Sequence, residues 1–408
     1  MNHSWKRAIG SFFVLTLLAT LCFACAEKEE EGKVTITIGE ITDLTGPASP
    51  ALLPVHYVTM DLVEYYNEEE LIPGVKLRLV TYDNNYNPAR EIPGYDWVKA
   101  RGADVILAPI YSTAEVLKYF AGQDKVPVVT SSPTELILEP PGWVFALGAL
   151  FSDQIRTVLE WISENDWDYK AEGRVPKVGY VGWYQAASVD IAQAMEEYCV
   201  AHPKEFDWGG SSLPPVGTMS FTGEAEKMKR CDYIGVFAGS PGYFIRDFKA
   251  KGYDATFISE AGAGAFKGFY VDLVGWEGVD GMLSTTTQGW VTDPYPMIEL
   301  AKQILRQKHP AEADDLIESG TGYVGGFVTF SIFFEMLKNA VAEVGPENFD
   351  GEAFYNASLD FGVQFEGFPN WRFTETDRSC VHDVAIYEWR AKAEDLVPRS
   401  DWLPVVKD

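Results

Sequence analysis

Short runs of β-branched and apolar residues alternate along the chain with stretches whose apolar positions recur every three or four residues. Val34-Thr35-Ile36-Thr37-Ile38-Gly39 predicts a strand, Thr42-Asp43-Leu44-Thr45-Gly46-Pro47 a turn, and Met60, Leu62 and Val63 the helix that follows. Strands over 77–82, 104–108 and 126–130 are separated by helices about Trp97 and Val98 and over 114–121. A polar stretch, 165–174, interrupts the pattern, which restarts at Lys177-Val178-Gly179-Tyr180-Val181-Gly182. Further strands are expected over 231–237, 256–259 and 281–285, with helices over 188–201 and 244–251. Strands spaced by helices imply parallel, doubly wound sheets covered on both faces, an α/β fold. About 375 residues follow residue 33, more than one ordinary core organises, so two lobes are expected.

The amino terminus carries a different pattern. Lys6 and Arg7 precede an uncharged apolar run over 9–24, which is shorter than the roughly 20 residues a membrane-spanning helix needs. Residues 1–24 therefore read as a signal peptide. Leu21-Cys22-Phe23-Ala24-Cys25 resembles a bacterial lipobox, in which Cys25 becomes the acylated first residue; cleavage after Ala24 or Ala26 by ordinary signal peptidase is the alternative. Residues 25–33, with Glu27-Lys28-Glu29-Glu30-Glu31-Gly32, form a charge-dense tether that cannot bury enough apolar surface to fold. The expected location is extracytoplasmic, with the membrane reached by a lipid anchor only.

Charge narrows the partners. The formal net charge is -27, with 60 acidic against 33 basic residues, and no basic run is present to meet a phosphate backbone; nucleic acid is not expected. Beyond Cys25 the cysteines are Cys199, Cys231 and Cys380, and an oxidising compartment allows one disulfide, with Cys199 and Cys231 the favoured pair because both fall in the second lobe. The CxxC spacing of Cys22 and Cys25 lies inside the leader, so no metal site is expected.

Four motifs in order carry a family resemblance. Ile38-Gly39-Glu40-Ile41-Thr42-Asp43-Leu44-Thr45-Gly46-Pro47 stands at the first strand, and Leu79-Val80-Thr81-Tyr82-Asp83-Asn84-Asn85-Tyr86-Asn87-Pro88-Ala89 at the second. Val105-Ile106-Leu107-Ala108-Pro109 and Val126-Pro127-Val128-Val129-Thr130-Ser131-Ser132-Pro133-Thr134 follow. Over essentially the whole chain beyond the leader, the sequence resembles the branched-chain amino-acid (Leu/Ile/Val) binding family, the type I solute receptors of ABC transporters. The resemblance implies two lobes joined by three crossovers in a Venus-flytrap arrangement. Lobe 1 would comprise 34–146 and 286–364, and lobe 2 147–285 and 365–408, with crossings near 145–148, 285–290 and 363–369. It also implies a monomeric binding protein without a cofactor, which hands a small-molecule ligand to the permease subunits of an importer.

Carboxyl ends of parallel strands leave loop amides and helix N-termini facing a crevice, so the ligand is expected there. Tyr111 and Ser112 follow one such strand end, and Ser132 and Thr134 the next; in similar proteins these loops hold a ligand carboxylate, while local backbone capping is the competing role. On the second lobe, the tyrosine common in the family aligns with Ala187, and Trp183 and Tyr184 crowd the strand end. The acidic residue that binds a ligand ammonium in amino-acid receptors aligns with Ala261. Glu260 stands one place away, and either reaches the cleft by a one-residue slip or is a solvated loop acid. Phe237 and Trp290 fall at cleft or hinge positions, where aromatic residues are core or pocket. These positions suggest a ligand with one carboxylate or amide and an apolar or aromatic body, with a branched-chain amino acid as runner-up.

No reaction centre assembles. His56, His202, His309 and His382 sit in separate segments, and no HExxH, GxSxG or phosphate-cradling loop is present. Asp43, Asp83 and Glu115 read as turn and helix-start residues, and Gly262-Ala263-Gly264 as a flexible loop. The same fold also serves as the ligand-binding part of sensory receptors. Such a receptor would continue into a membrane span, and with the chain ending at Asp408 a freestanding protein is the expectation, delivering its ligand or passing a signal to a separate membrane receptor.

Overall fold

A computed structural model describes residues 32–131, 133–237, 241–264, 266–320 and 322–407. The first half builds five parallel strands: β1 (Val34–Thr42), α1 (Ser49–Glu68), β2 (Val75–Asp83), α2 (Glu91–Lys99), β3 (Val105–Leu107), α3 (Tyr111–Asp124), β4 (Val128–Thr130), α4 (Glu135–Leu138) and β5 (Val144–Ala146) follow one another, each helix returning the chain to the same sheet. The strand order is β2-β1-β3-β4-β5. The two-residue period of β1 sends Ile36 and Ile38 into one core and Ile41 into the other, so both faces of the sheet are dry.

The chain then leaves this sheet. It continues with α5 (Phe151–Asn165), α6 (Tyr169–Glu172), β6 (Lys177–Gly182), α7 (Ala186–Ala201), β7 (Asp207–Ser212), α8 (Thr222–Met228), β8 (Tyr233–Phe237), α9 (Pro241–Ala250), β9 (Thr256–Ser259), α10 (Ala261–Gly264), α11 (Val271–Val279) and β10 (Leu283–Thr286). Four helices follow, α12 (Pro296–Lys308), α13 (Ala313–Glu318), α14 (Gly322–Val344) and α15 (Gly351–Ser358), and α14 packs against α1, α12 and α15 beside the first sheet. A small hairpin, β11 (Gly362–Gln364) and β12 (Asn370–Arg372), precedes β13 (Asp383–Arg390), β14 (Asp395–Pro398) and β15 (Leu403–Pro404). The second sheet runs β14-β13-β10-β9-β8-β6-β7, with β13 antiparallel to β10 and also paired with β15.

The two doubly wound sheets expected from the strand–helix alternation are therefore present. Helix α14 is apolar enough in composition to cross a membrane, yet most of it is buried inside the protein, as suits a core helix covered by its neighbours.

Three expectations need correction. Residues 363–369, expected as a crossing, lie in the β11–β12 hairpin. The chain meets the first crossover later: the Ala146 amide donates to the Arg378 carbonyl at 2.8 Å, the Cys380 amide to the Ala146 carbonyl at 3.1 Å, and the Ser379 hydroxyl to the Gly148 carbonyl at 2.8 Å. Cys199 and Cys231 form no disulfide; both thiols are free and buried, as is that of Cys380. Burial pushes the Cys199 thiol up to about 12 and that of Cys231 to about 11. The expected loop at Gly262–Gly264 is part of the helical turn α10, whose Gly262 amide is capped by the Glu260 carboxylate.

Candidate functional site

The carboxyl ends of β1 and β2 are tied together by turn carboxylates. Asp43 accepts from the Ala48 amide at 2.8 Å. Asp83 accepts from the amides of Leu44 and Asn85, each at 3.0 Å, and from the Thr45 hydroxyl at 2.6 Å. Burial works against ionising Asp83, but these three donors hold its carboxyl below the usual carboxylate range. Both acids organise loops at the cleft edge.

A cavity of about 180 Å³ opens between the two sheets. The first sheet contributes Pro109 after β3 and Ser131 after β4, with Leu52 and Val55 of α1 beside them. Gly148 of the first crossover and Thr287 and Gln288 after β10 close the hinge side, and Ala261, Gly262 and Phe266 come from the second sheet. The last wall is the start of α14: Gly322, Gly325, Gly326, Thr329 and Phe330. The glycines are what leave the space. A Cβ at Gly322 would stand 2.8 Å from the Phe266 ring. None of the described lining residues is ionisable.

The structure brings some of the expected residues to this cleft and not others. Tyr111 opens α3 and meets Phe151 of α5 edge-on at 5.9 Å, a contact between the two halves. Ser112 lies half-buried in the same first turn. Thr134 precedes α4, but its hydroxyl donates to the Glu115 carboxylate at 3.0 Å. Ser132 and the side chain of Phe237 lie outside the described residues, as does Cys25. Trp183 donates its indole N–H to the Thr218 carbonyl at 3.0 Å, and Tyr184 is 66% exposed and is not among the cavity-lining residues. Ala187 is buried in the first turn of α7. Trp290 is buried in the second sheet's layers, its indole N–H donating to Asp395 at 2.6 Å, near the ring of Trp389.

Glu260 is not a solvated loop acid: it is 1% exposed and caps the turn that carries Ala261 and Gly262 into the cavity wall. Its charge reaches the phenol groups of Tyr111, Tyr180 and Tyr270. Burial first, then Tyr86, Glu115, Tyr180 and Glu260, push the Tyr111 phenol well above its ordinary pKa, so it stays protonated.

Sequence reasoning missed several participants. Gln154 of α5 accepts at its carbonyl oxygen from the Ala261 amide at 3.0 Å and the Thr285 hydroxyl at 2.8 Å, and donates to the Ala149 carbonyl at 3.0 Å. It thereby locks the crossover to the cavity wall. Tyr180 and Tyr270 read as core aromatics in a strand and before a helix, and only the packing of the second sheet places them near Glu260. The Gly322-x-x-Gly325-Gly326 spacing is the available signal for the open helix face. Among the described residues no group of His, Cys, Asp and Glu is arranged to hold a metal ion.

The family model described as a periplasmic binding protein matches residues 35–394. Among solved structures, the chain is similar to a branched-chain amino acid ABC transporter protein from Thermus thermophilus with bound valine. The identity is 19%, 91% of this chain and 97% of the other are covered, and the TM-score is 0.79. A solute binding protein of an ABC transporter from Rhodopseudomonas palustris BisB5, in complex with 3,4-dihydroxybenzoic acid, is 17% identical over 92% of this chain and 98% of its own, with a TM-score of 0.74. A fatty acid ABC transporter substrate-binding protein from Thermomonospora curvata is 16% identical over 91% and 92%, with a TM-score of 0.73. No curated protein sequence matches the chain. At these identities the structural likeness establishes the fold, and the family match covers nearly all of the described chain.

Proposed function

The chain belongs to the periplasmic binding protein family, and we propose that it is an extracytoplasmic receptor that closes on a small organic ligand between its two sheets and delivers it to the permease of an ABC importer, without chemistry on the ligand. The observation that carries this reading is the cavity itself, whose wall is assembled from strand-end loops of both sheets and from two crossovers. A site shared in this way exists only when the two halves are together, so ligand binding and closure are one event. The lobes are 34–146 with 286–364, and 147–285 with 365–408, the last boundary drawn nearer to residue 378 by the hydrogen bonds of Arg378 and Cys380 to Ala146. The candidate ligand contacts are Tyr111, Ser112, Ser132, Thr134, Phe237 and Glu260, with the lining of the cavity around them.

Neutral walls suit a ligand with an apolar body. The similar structures carry valine and 3,4-dihydroxybenzoic acid, and a third is named for fatty acids, a range consistent with one fold whose pocket lining sets the ligand. Attachment to the membrane runs through an acyl group on Cys25, and the mature protein is a monomer. The test is a thermal-shift screen of amino acids, aromatic acids, short fatty acids and amides. A true ligand at 100 times its Kd adds about 2.7 kcal/mol of stability, and the same compound contracts the protein in small-angle scattering. A screen without any hit, or a hit destroyed by turnover, contradicts the reading. Palmitate labelling that persists in Cys25→Ala contradicts the anchor.

A further inference from the structure

The cleft cavity carries two polar groups that the fold leaves uncommitted. Its lining is apolar or glycine except at Ser131, Thr287, Gln288 and Thr329. The Ser131 hydroxyl is taken, donating to the Pro109 carbonyl at 2.8 Å. The Thr287 hydroxyl donates to the side-chain oxygen of Gln288 at 2.7 Å. That bond occupies the oxygen end of the carboxamide and leaves its NH2 end, which makes no hydrogen bond among the described residues; nor does the Thr329 hydroxyl.

The second crossover is shaped to present Gln288. The buried Thr286 at the end of β10 accepts from the Gln288 amide at 3.3 Å and donates its own hydroxyl to the Gly289 carbonyl at 3.0 Å. Gly289 closes this turn at a φ of +72°, a left-handed conformation that a side chain would strain. Backbone and carboxamide are thus both fixed before a ligand arrives, and a donor held in place loses little freedom on binding. Thr329 lies on α14 in line with Gly322, Gly325 and Gly326, at the three- and four-residue spacing that shares one helix face, so its hydroxyl ends a strip otherwise bare of side chains.

What this lining selects follows from what it rejects. An ionised group lodged here would lose its hydration with no countercharge from the described lining residues, none of which is ionisable. A wholly apolar body would dry the Gln288 NH2 and the Thr329 hydroxyl and leave both unpaired. A site that hydrogen-bonds a ligand oxygen discriminates strongly against the analogue lacking it, whereas one methylene more or less is read weakly. Resting on the receptor reading above, we propose that Gln288 and Thr329 are specificity-determining residues of the cleft, which hydrogen-bond an uncharged hydroxyl or carbonyl oxygen on the body of the ligand, apart from any charged head group, while Leu52, Val55 and Phe330 enclose the carbon atoms around it.

The experiment measures, by calorimetry on the full chain, matched pairs of probes that differ in one such oxygen: threonine and valine, tyrosine and phenylalanine, 4-hydroxybenzoate and benzoate, 4-oxopentanoate and 4-methylpentanoate. Any hit of the wider screen that carries an uncharged oxygen joins them, paired with its analogue lacking that oxygen. The expected result is that at least one oxygen-bearing probe binds about tenfold or more tighter than its partner, the size carried by one hydrogen bond at a site otherwise left unpaired. Gln288→Met and Thr329→Val keep the side-chain size and remove the hydrogen-bonding group; each should shrink that ratio about threefold or more without weakening the partner that lacks the oxygen. A variant that merely loosens the fold weakens both members of a pair and leaves their ratio alone, so an unchanged ratio in either variant overturns the inference. So does a wild type that binds the partners as tightly as the oxygen-bearing probes, or whose ligand in the wider screen has no uncharged oxygen; these outcomes leave the receptor reading intact. A wild-type protein that binds nothing here or in the wider screen contradicts the receptor reading itself.

Discussion

On the first sheet's side of the cleft, space is made by omission: three glycines of α14 line the cavity with Leu52, Val55 and Phe330, and polar groups at the strand ends are bonded to one another, Asp83 to the loop after β1 and Thr134 to Glu115. On the second sheet's side, Glu260 is buried and caps the turn of Ala261 and Gly262, with Tyr180 and Tyr270 buried within reach of its charge beside Ser188 and Ser259. Buried polar atoms without a hydrogen-bond partner among the described residues occur on both sides, at Thr42 and Thr130 of the first sheet as at Ser188 of the second half, so the two walls differ in how space is made. Glycines open the first wall, while the second is set by a capped, buried carboxylate.

The comparison breaks most plainly at Phe330, which is both cavity lining and fully buried core. Phe330→Ala should cost about 3–5 kcal/mol, read as a fall in the urea midpoint at constant m-value. A loss below about 1 kcal/mol, the range of surface substitutions, would mean that the first wall is not part of the core.

Next in size is Asp190 on α7, where the halves meet. Burial, followed by Glu135, raises its carboxyl to about 7, with Arg156 opposing and Asp153 and Glu115 adding to the rise. A carboxyl with a raised folded-state pKa keeps its proton where the unfolded chain has lost it, so its destabilisation is absent below the ordinary carboxylate range and grows as pH climbs to about 7. Asp190→Asn should therefore raise stability at about pH 8 by about 2 kcal/mol, discounted for remaining solvent contact, and by much less at about pH 4. Equal gains at both pH values would refute this account.

A smaller effect tests the glycine face. A Cβ at Gly326 would meet Val58 at 3.5 Å, an ordinary contact. Gly326→Ala should stabilise α14 by about 0.5–1 kcal/mol while reducing affinity for bulky ligands more than for small ones; a uniform effect on all ligands would argue that this helix face does not set size.

The smallest expected effect lies at α1. His56 contacts the buried Glu40. Burial lowers its pKa, but the hydrogen bond and charge of Glu40 outweigh that and raise it overall. A raised histidine contributes stability that is present below its unfolded value and is lost as pH rises through its folded value. Tm should fall across that range in the wild type, and His56→Gln should flatten the fall; a pH dependence that survives the substitution assigns it elsewhere.

Several of these features are legible in the residues alone. The β1 and β6 runs read as strands because β-branched residues in short apolar runs leave few alternatives, and the turn roles of Asp43 and Asp83 follow from their neighbours. Glu260 is legible as a residue near the cleft but not as a buried one, since burial depends on what packs around it. Cys199 and Cys231 show the limit of proximity reasoning: one lies on α7 and the other before β8, and each thiol packs unbonded to the other in the same apolar core. The third crossing escapes sequence reading because it is set by the hydrogen bonds of Arg378 and Cys380 to Ala146, more than 200 residues away in the chain.

What the sequence determined by itself is the alternation of strands and helices, and hence two doubly wound sheets, because backbone periodicity and side-chain branching are local properties. It also implied a crevice at the strand ends, because unpaired amides and helix N-termini collect there in any such sheet, and a cavity lined by strand-end residues lies between the two sheets. Only the tertiary structure decided which side chains meet at that place. Tyr180 comes within electrostatic reach of Tyr111, and Gln154 bonds both Ala261 and Thr285, pairs far apart in the chain that no local pattern links. The physical reason is that burial and hydrogen-bond satisfaction belong to the packed whole: a hydroxyl is surplus, or a carboxylate buried, only once every neighbour from every distant segment is in place.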